Sequence, residues 1–231
     1  MTVTLITGAN KGLGYETARR LTELGHTVYI GARSAERGEA AAAALGAQFV
    51  QLDVTDDASV AAAMHVIRER DGRLDVLVNN AGIWDGRIGV DGLTGAAALT
   101  EFDTNVIGVV RVTQAALSLL RESVNPVVVN ISSGLGSFWA VNNPERNEFH
   151  YPTIVYSATK AAVSMLTVEY AKALPEIKFN AAEPGLTATD LTGGHGGQTV
   201  ADGVEVIVRL ATLDEDGPTG TFQEEKGELP W

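Results

Sequence analysis

The chain contains no cysteine. Disulfides and thiolate metal sites are therefore excluded. Histidine is scarce. His26, His65, His150 and His195 show no helical pairing of the kind that ligates a metal, so no zinc centre is expected. Basic residues are outnumbered, with 17 Lys plus Arg against 29 Asp plus Glu and a net charge of -12. So acidic a surface repels a phosphate backbone, and nucleic acid is not an expected partner. A phosphorylated cofactor would need a local basic spot. Long hydrophobic runs are also missing: none approaches bilayer-spanning length, and the start of the chain carries no basic segment leading into one. The expectation is a cytoplasmic protein with no membrane partner.

What is present is ordered alternation. A length of 231 residues favours a single domain, here taken as 1–231, with a sizeable core. Short apolar runs at Val3–Ile6, Thr27–Ile30, Gln48–Leu52, Val76–Val78, Val127–Ile131 and Lys178–Ala182 read as strands. Most are unbroken, as in strands buried on both faces. Leu13, Thr17, Leu21 and Leu24 recur at helical spacing between the first two runs. Thr55 and Asp56 can cap a helix through Val60, Met64 and Ile67 that ends near Gly72. Further helices run through Val106–Leu120 and from Tyr156 to Leu174, where Pro175 stops the second. Ala40–Ala44 reads as a plain helix, and residues 83–100 and 134–154 read as loops. The pattern implies βαβ units and an α/β fold: a Rossmann-like, doubly wound parallel sheet with helices on both faces.

Directly after the first run stands Thr7-Gly-Ala-Asn-Lys-Gly-Leu-Gly14. Strand, glycine turn and helix form the arrangement a dinucleotide needs, because glycines let backbone approach the pyrophosphate at a helix N-terminus. Gly8, Asn10, Lys11, Gly12, Leu13 and Gly14 are the candidates from this turn. The second run ends Gly31-Ala-Arg33-Ser34, with no acid at its tip. An acid there would select NAD, whereas an Arg accommodates the 2′-phosphate of NADP. Arg33, with Lys11 as a second cation, points to NADP(H). Asp53 and Val54 are candidates for the adenine end, with helix capping the alternative role for Asp53.

Tyr156-Ser-Ala-Thr-Lys160 places Tyr and Lys at i and i+4, on one helix face. A nearby ammonium should lower the Tyr pKa and make Tyr156 a usable general acid. Ser133, just past a strand, could steady a developing alkoxide. Either residue alone could be ordinary packing or loop; together, downstream of a dinucleotide turn, they suggest hydride chemistry on a carbonyl.

As a set, these motifs resemble the short-chain dehydrogenase/reductase family over essentially the whole chain. The glycine turn, Asn79-Asn-Ala-Gly82, Asn105, Ser133, Tyr156-x-x-x-Lys160 and Pro184-Gly185 fall in the family's order. The resemblance implies a catalytic tetrad of Asn105, Ser133, Tyr156 and Lys160, with Asn105 holding a relay water and Lys160 also binding the ribose. It implies that Asn80, Ala81 and Gly82 border the adenosine side of the cofactor. It places Pro184, Gly185, Leu186, Thr187 and Thr189 at the nicotinamide. An insertion at about 136–153 and a C-terminal Gly217-Pro-Thr-Gly-x-Phe222 are similar to monomeric carbonyl reductases. A monomer that reduces ketones or aldehydes with NADPH is the expectation. A ketoacyl reductase and a non-catalytic NADP-binding sensor are the alternatives. Trp84, Leu135, Phe138 and Trp139 are candidates for the substrate pocket, although the last two could instead anchor the insertion. Gly193–Gly197, around His195, suggests a lid.

Overall fold

The computed structural model describes residues 1–84 and 90–231. Its strands are β1 (Val3–Thr7), β2 (Thr27–Ala32), β3 (Gln48–Gln51), β4 (Val76–Asn79), β5 (Val127–Ile131), β6 (Lys178–Ala182), β7 (Phe222–Glu224) and β8 (Gly227–Glu228). They form one eight-stranded sheet in the order β3-β2-β1-β4-β5-β6-β7-β8. Every pairing is parallel except β7 with β8, which is antiparallel. The helices are α1 (Gly12–Glu23), α2 (Ala35–Leu45), α3 (Asp57–Asp71), α4 (Gly95–Phe102), α5 (Gly108–Leu120), α6 (Phe138–Asn142), α7 (Ile154–Ala173), α8 (Val200–Gly203) and α9 (Glu205–Ala211).

The unbroken apolar strands are buried on both faces. Leu5 pairs with Leu77 and Leu77 with Val128; Ile6 pairs with Val78 and Val78 with Val129. Because side chains alternate along a strand, the first set faces one side and the second the other. Leu5, Leu77 and Val128 pack with Ile67, Val112 and Leu119 of α3 and α5. Ile6, Val78 and Val129 pack with Leu21, Ile207 and Leu210 of α1 and α9. Each fully buried side chain of this kind stabilises the fold by about 1.5–3 kcal/mol. Removing one from either layer would open a cavity beneath the sheet.

Strand order reverses between β1 and β4, since the chain moves outward to β3 and then returns to β4. Such a reversal leaves a crevice at the C-terminal strand ends. Buried polar groups hold it. Asn79 Nδ2 donates to Asn130 Oδ1 at 2.8 Å and to Thr113 Oγ1 at 3.0 Å, and Asn130 Nδ2 donates to Thr167 Oγ1 at 2.9 Å. The chain β4–β5–α7 is thereby laced together just below the crevice.

Two stretches expected as loops hold helix. Residues 83–100 include the start of α4, capped by Thr94, which accepts from Ala97 N–H at 3.2 Å. Residues 134–154 contain α6 and turns at Gly134–Gly136 and Asn147–His150. Ser137 caps α6, accepting from Ala140 N–H at 3.0 Å.

Candidate active site

A cleft of about 540 Å³ opens at the crevice. Its floor is the turn between β1 and α1. Gly8 and Gly12 have φ of 66° and 58°, in the left-handed region. At Gly14, a Cβ would lie 2.5 Å from Asn80 Nδ2 and 2.9 Å from Ala9 Cα, so α1 approaches the strand ends only because no side chain is there. Asn80 struts the turn from the next strand. Its Nδ2 donates to Thr7 O at 2.8 Å and Gly8 O at 3.3 Å, while Thr7 Oγ1 accepts from the Asn80 and Ala81 N–H groups. Gly8, Asn10, Lys11, Gly12, Leu13, Gly14, Asn80, Ala81 and Gly82 all line the cleft. The α1 N-terminus at this floor suits a pyrophosphate.

At one end Arg33 lies exposed on the cleft wall, and Arg37, one turn into α2, joins it. Arg37 escaped the sequence reading, although its i+4 spacing from Arg33 was visible there. Lys11 is otherwise engaged: its Nζ meets Asp190 Oδ2 at 2.8 Å, across the cleft from the loop after β6. Both partners are well exposed, so the pair adds little stability. Asp53 and Val54 line the same end. Burial would raise the Asp53 pKa, but bonds from the Thr55 backbone and hydroxyl, with Arg33 and Arg111 nearby, hold it below the ordinary value. Helix α3 is capped by Asp56 rather than Asp53.

The catalytic candidates converge at the middle of the cleft. Tyr156, Lys160 and Ser133 line it. Ser133 is half-buried there, whereas its neighbour Ser132 turns inward to Lys160 O and Ser164 Oγ at 3.1 and 2.9 Å. Asn105 sits on a π-helical turn, Asp103–Ile107, between α4 and α5. Such wide turns recur at functional sites. Its side chain is buried and fixed by Ile83, accepting from the N–H and donating to the carbonyl, each at 2.8 Å.

One expectation about this group is corrected. Lys160 does not draw the Tyr156 pKa down: burial, then the charges of Glu183 and Glu101, push it up. The Lys160 Nζ donates to Ile131 O at 2.8 Å and lies over the Tyr156 ring, 5.5 Å from its centre. Burial brings Lys160 itself down to about 8, against a smaller upward push from Glu183.

Past β6, the chain turns through Pro184, Gly185 and Leu186. Thr187 Oγ1 donates to Pro184 O at 3.0 Å, and Gln198 Nε2 donates to Thr187 Oγ1 at 3.1 Å. Thr187 and Thr189 line the cleft with Pro184, Gly185 and Leu186.

Comparison with known proteins agrees with this geometry. The short chain dehydrogenase family model matches residues 2–198. The chain belongs to the short-chain dehydrogenase family. The (-)-isopiperitenone reductase of Mentha piperita is 30% identical, with 94% of each chain covered. The (+)-neomenthol dehydrogenase of Capsicum annuum is 29% identical, again with 94% of each covered. The solved structure of NADPH-bound carbonyl reductase from chicken fatty liver superposes with a TM-score of 0.89 at 28% identity, covering 100% of both chains.

Trp84 and Leu135 line the cleft with Tyr156. The Trp84 ring centre stands 5.9 Å from that of Tyr156. Phe138 and Trp139 do not line the cleft. Phe138 is 71% exposed, and Trp139 lies under the Arg146 guanidinium at 5.8 Å while its N–H donates to Trp231 O at 3.2 Å. The wall is completed by Tyr151, one of the insertion's aromatics, and by residues the sequence did not single out: Asn147, Glu148, Thr153, Glu183 and Leu191. Glu183 carried a signal, an acid at the C-terminal tip of an otherwise apolar strand, where ligands of such sheets gather.

Proposed function

We propose that this dehydrogenase reduces a ketone or aldehyde to an alcohol with NADPH. The observation that carries the reading is that Ser133, Tyr156 and Lys160 open onto the same cleft as the glycine turn and Arg33. NADP(H) fits the chain's own donors: glycine backbone and a helix N-terminus for the pyrophosphate, Arg33 and Arg37 for a 2′-phosphate, and Thr187 and Thr189 beside the nicotinamide. When bound, it supplies the hydride.

Tyr156 donates the proton to the nascent alkoxide. A tyrosine hydroxyl is protonated at neutral pH, which is the state an acid needs. The Ser133 hydroxyl hydrogen-bonds the same oxygen and steadies its developing charge. Lys160, over the Tyr156 ring, holds the ribose and, with Asn105, the relay that returns a proton to Tyr156. Trp84, Leu135 and Tyr151 give the reacting end an aromatic and aliphatic lining, suited to bulky or aromatic ketones. The protein works as a cytoplasmic monomer.

The test is NADPH oxidation against a panel of aromatic ketones, quinones and aldehydes, with NADH in parallel. Turnover favouring NADPH is the expected result. No turnover on any of them, with NADPH still bound, would move the reading to a carrier-bound ketoacyl substrate or to a sensor.

A further inference from the structure

Glu183 is a buried acid to which the reaction above gives no task. It sits between β6 and Pro184 and is 8% exposed. One carboxylate oxygen accepts from the Gly134 N–H, next to Ser133. The other accepts from the Gly185 N–H at 2.9 Å. These two amides belong to the two loops that carry the reacting parts: the serine on one, the nicotinamide-facing backbone on the other. The same carboxylate also borders a second, polar cavity of about 470 Å³ behind the cleft.

Only an ionised carboxylate suits this place. It offers an acceptor to each amide. A protonated acid or a glutamine has one acceptor and one donor, so one buried N–H loses its partner. We propose that Glu183 is a positioning residue, whose ionised carboxylate clamps the Ser133 loop to the Pro184–Gly185 loop and so fixes the serine against the nicotinamide subsite. The inference rests on the carbonyl-reductase reading for its consequence, but not for the clamp itself.

The surroundings make the clamp titratable. From α7 it faces Tyr156 and Lys160; from the segment before α7, Arg146 and Glu148; from β7, Glu224. Glu145, Asp202, Glu225 and Lys226 line the second cavity, and His195 stands on the cleft wall. Glu148 presses on the Gly134 loop, where a Cβ would lie 2.2 Å from its Oε1. Arg146 is shared between Glu148 at 3.0 Å and Glu224 at 2.9 Å, so it does not neutralise Glu183 directly. Burial, helped by Glu148, pushes the Glu183 pKa up to about 7, against the two amide bonds and Arg146. Above that pH the clamp is closed, and its charge also favours protonated Tyr156 and Lys160. Below it the carboxyl takes a proton and one loop is released.

The decisive experiment compares pH profiles of kcat/KM for the wild type and Glu183→Gln. The wild type should lose activity as the pH falls through about 7 and level off about tenfold lower. Glu183→Gln should lack that acid limb and run about tenfold lower on the plateau, as a permanently half-open clamp. An unchanged acid limb in the variant would overturn the proposal. Amide NMR of the intact wild-type chain provides a readout free of turnover. The Gly134 and Gly185 amide signals should shift together with one midpoint near neutrality. Static signals, or separate midpoints, would refute the clamp even in an active enzyme. A shared midpoint in a protein that reduces no carbonyl would keep the clamp and sink the reductase reading.

Discussion

At the glycine-turn end of the cleft, the buried Thr7, Asn79 and Asn130 and the half-buried Asn80 bind one another and the backbone. On the substrate side the wall is a succession of short helical turns, fastened by Arg146 to Glu148 and Glu224 and by Trp139 to Trp231, with Phe149 and Tyr151 about half exposed. Buried hydrogen bonds tolerate little change, because an orphaned partner costs about 1–3 kcal/mol. Half-exposed aromatics such as Phe149 and Tyr151 contribute less and can be exchanged more freely. Under the proposed function, the difference would separate two tasks: one half would hold the cofactor in a fixed pose, while the other could be re-cut for a new substrate at small cost to the fold.

Tyr156 stands on the seam between the halves and gives the largest expected effect. Tyr156→Phe keeps the ring beside Trp84 and Lys160 but deletes the proton donor. Turnover should fall by about 10²–10⁴-fold, the usual worth of a general acid, with NADPH affinity and thermal stability unchanged. Turnover within a few fold of wild type would remove Tyr156 from the chemistry and leave the cleft with no proton donor at its centre.

The legibility of the two halves in the sequence differs in the same way. The nucleotide half could be read because its signals are local: an unbroken apolar strand, three glycines at fixed spacing, and an apolar period of a helix turn. The wall could not. Helix α6 is five residues long and α4 is eight, too short for a periodicity to stand out, although Thr94 and Ser137 marked their caps. Strands β7 and β8 run three and two residues and are defined only by pairing with β6 and each other. The Phe138 and Trp139 side chains read as pocket because aromatics in an irregular segment invite that reading. The upward push on Tyr156 depended on Glu183 and Glu101, remote in sequence, and on burial that only the fold creates.

Arg33 sharpens the comparison from the glycine-turn side, where it lies exposed beside Arg37. Arg33→Asp removes a charge-assisted bond to the 2′-phosphate and adds repulsion, so the KM for NADPH should rise by about 10- to 100-fold. The KM for NADH should stay within about twofold, since that cofactor lacks the phosphate. Equal effects on the two cofactors would show that Arg33 shapes the adenosine end sterically and would pass NADPH selection to Arg37. Steady-state kinetics with both cofactors decides it.

The smallest expected effect lies on the outer wall, and it tests whether that wall is as permissive as its construction implies. Phe138 is 71% exposed at the start of α6, whose cap is made by Ser137. Phe138→Ser should leave stability within about 0.5 kcal/mol, as exposed substitutions do, and should change kcat/KM for any ketone by less than about twofold. Thermal melts and kinetics on the same preparation measure both. A substantial loss of stability that grows with protein concentration would mean the ring is covered by a second copy, contradicting the monomer. A loss of kcat/KM confined to large ketones would mean that bound substrate reaches over α6. In that case the substrate half extends farther from Tyr156 than the cleft walls, and its freedom to vary is correspondingly narrower.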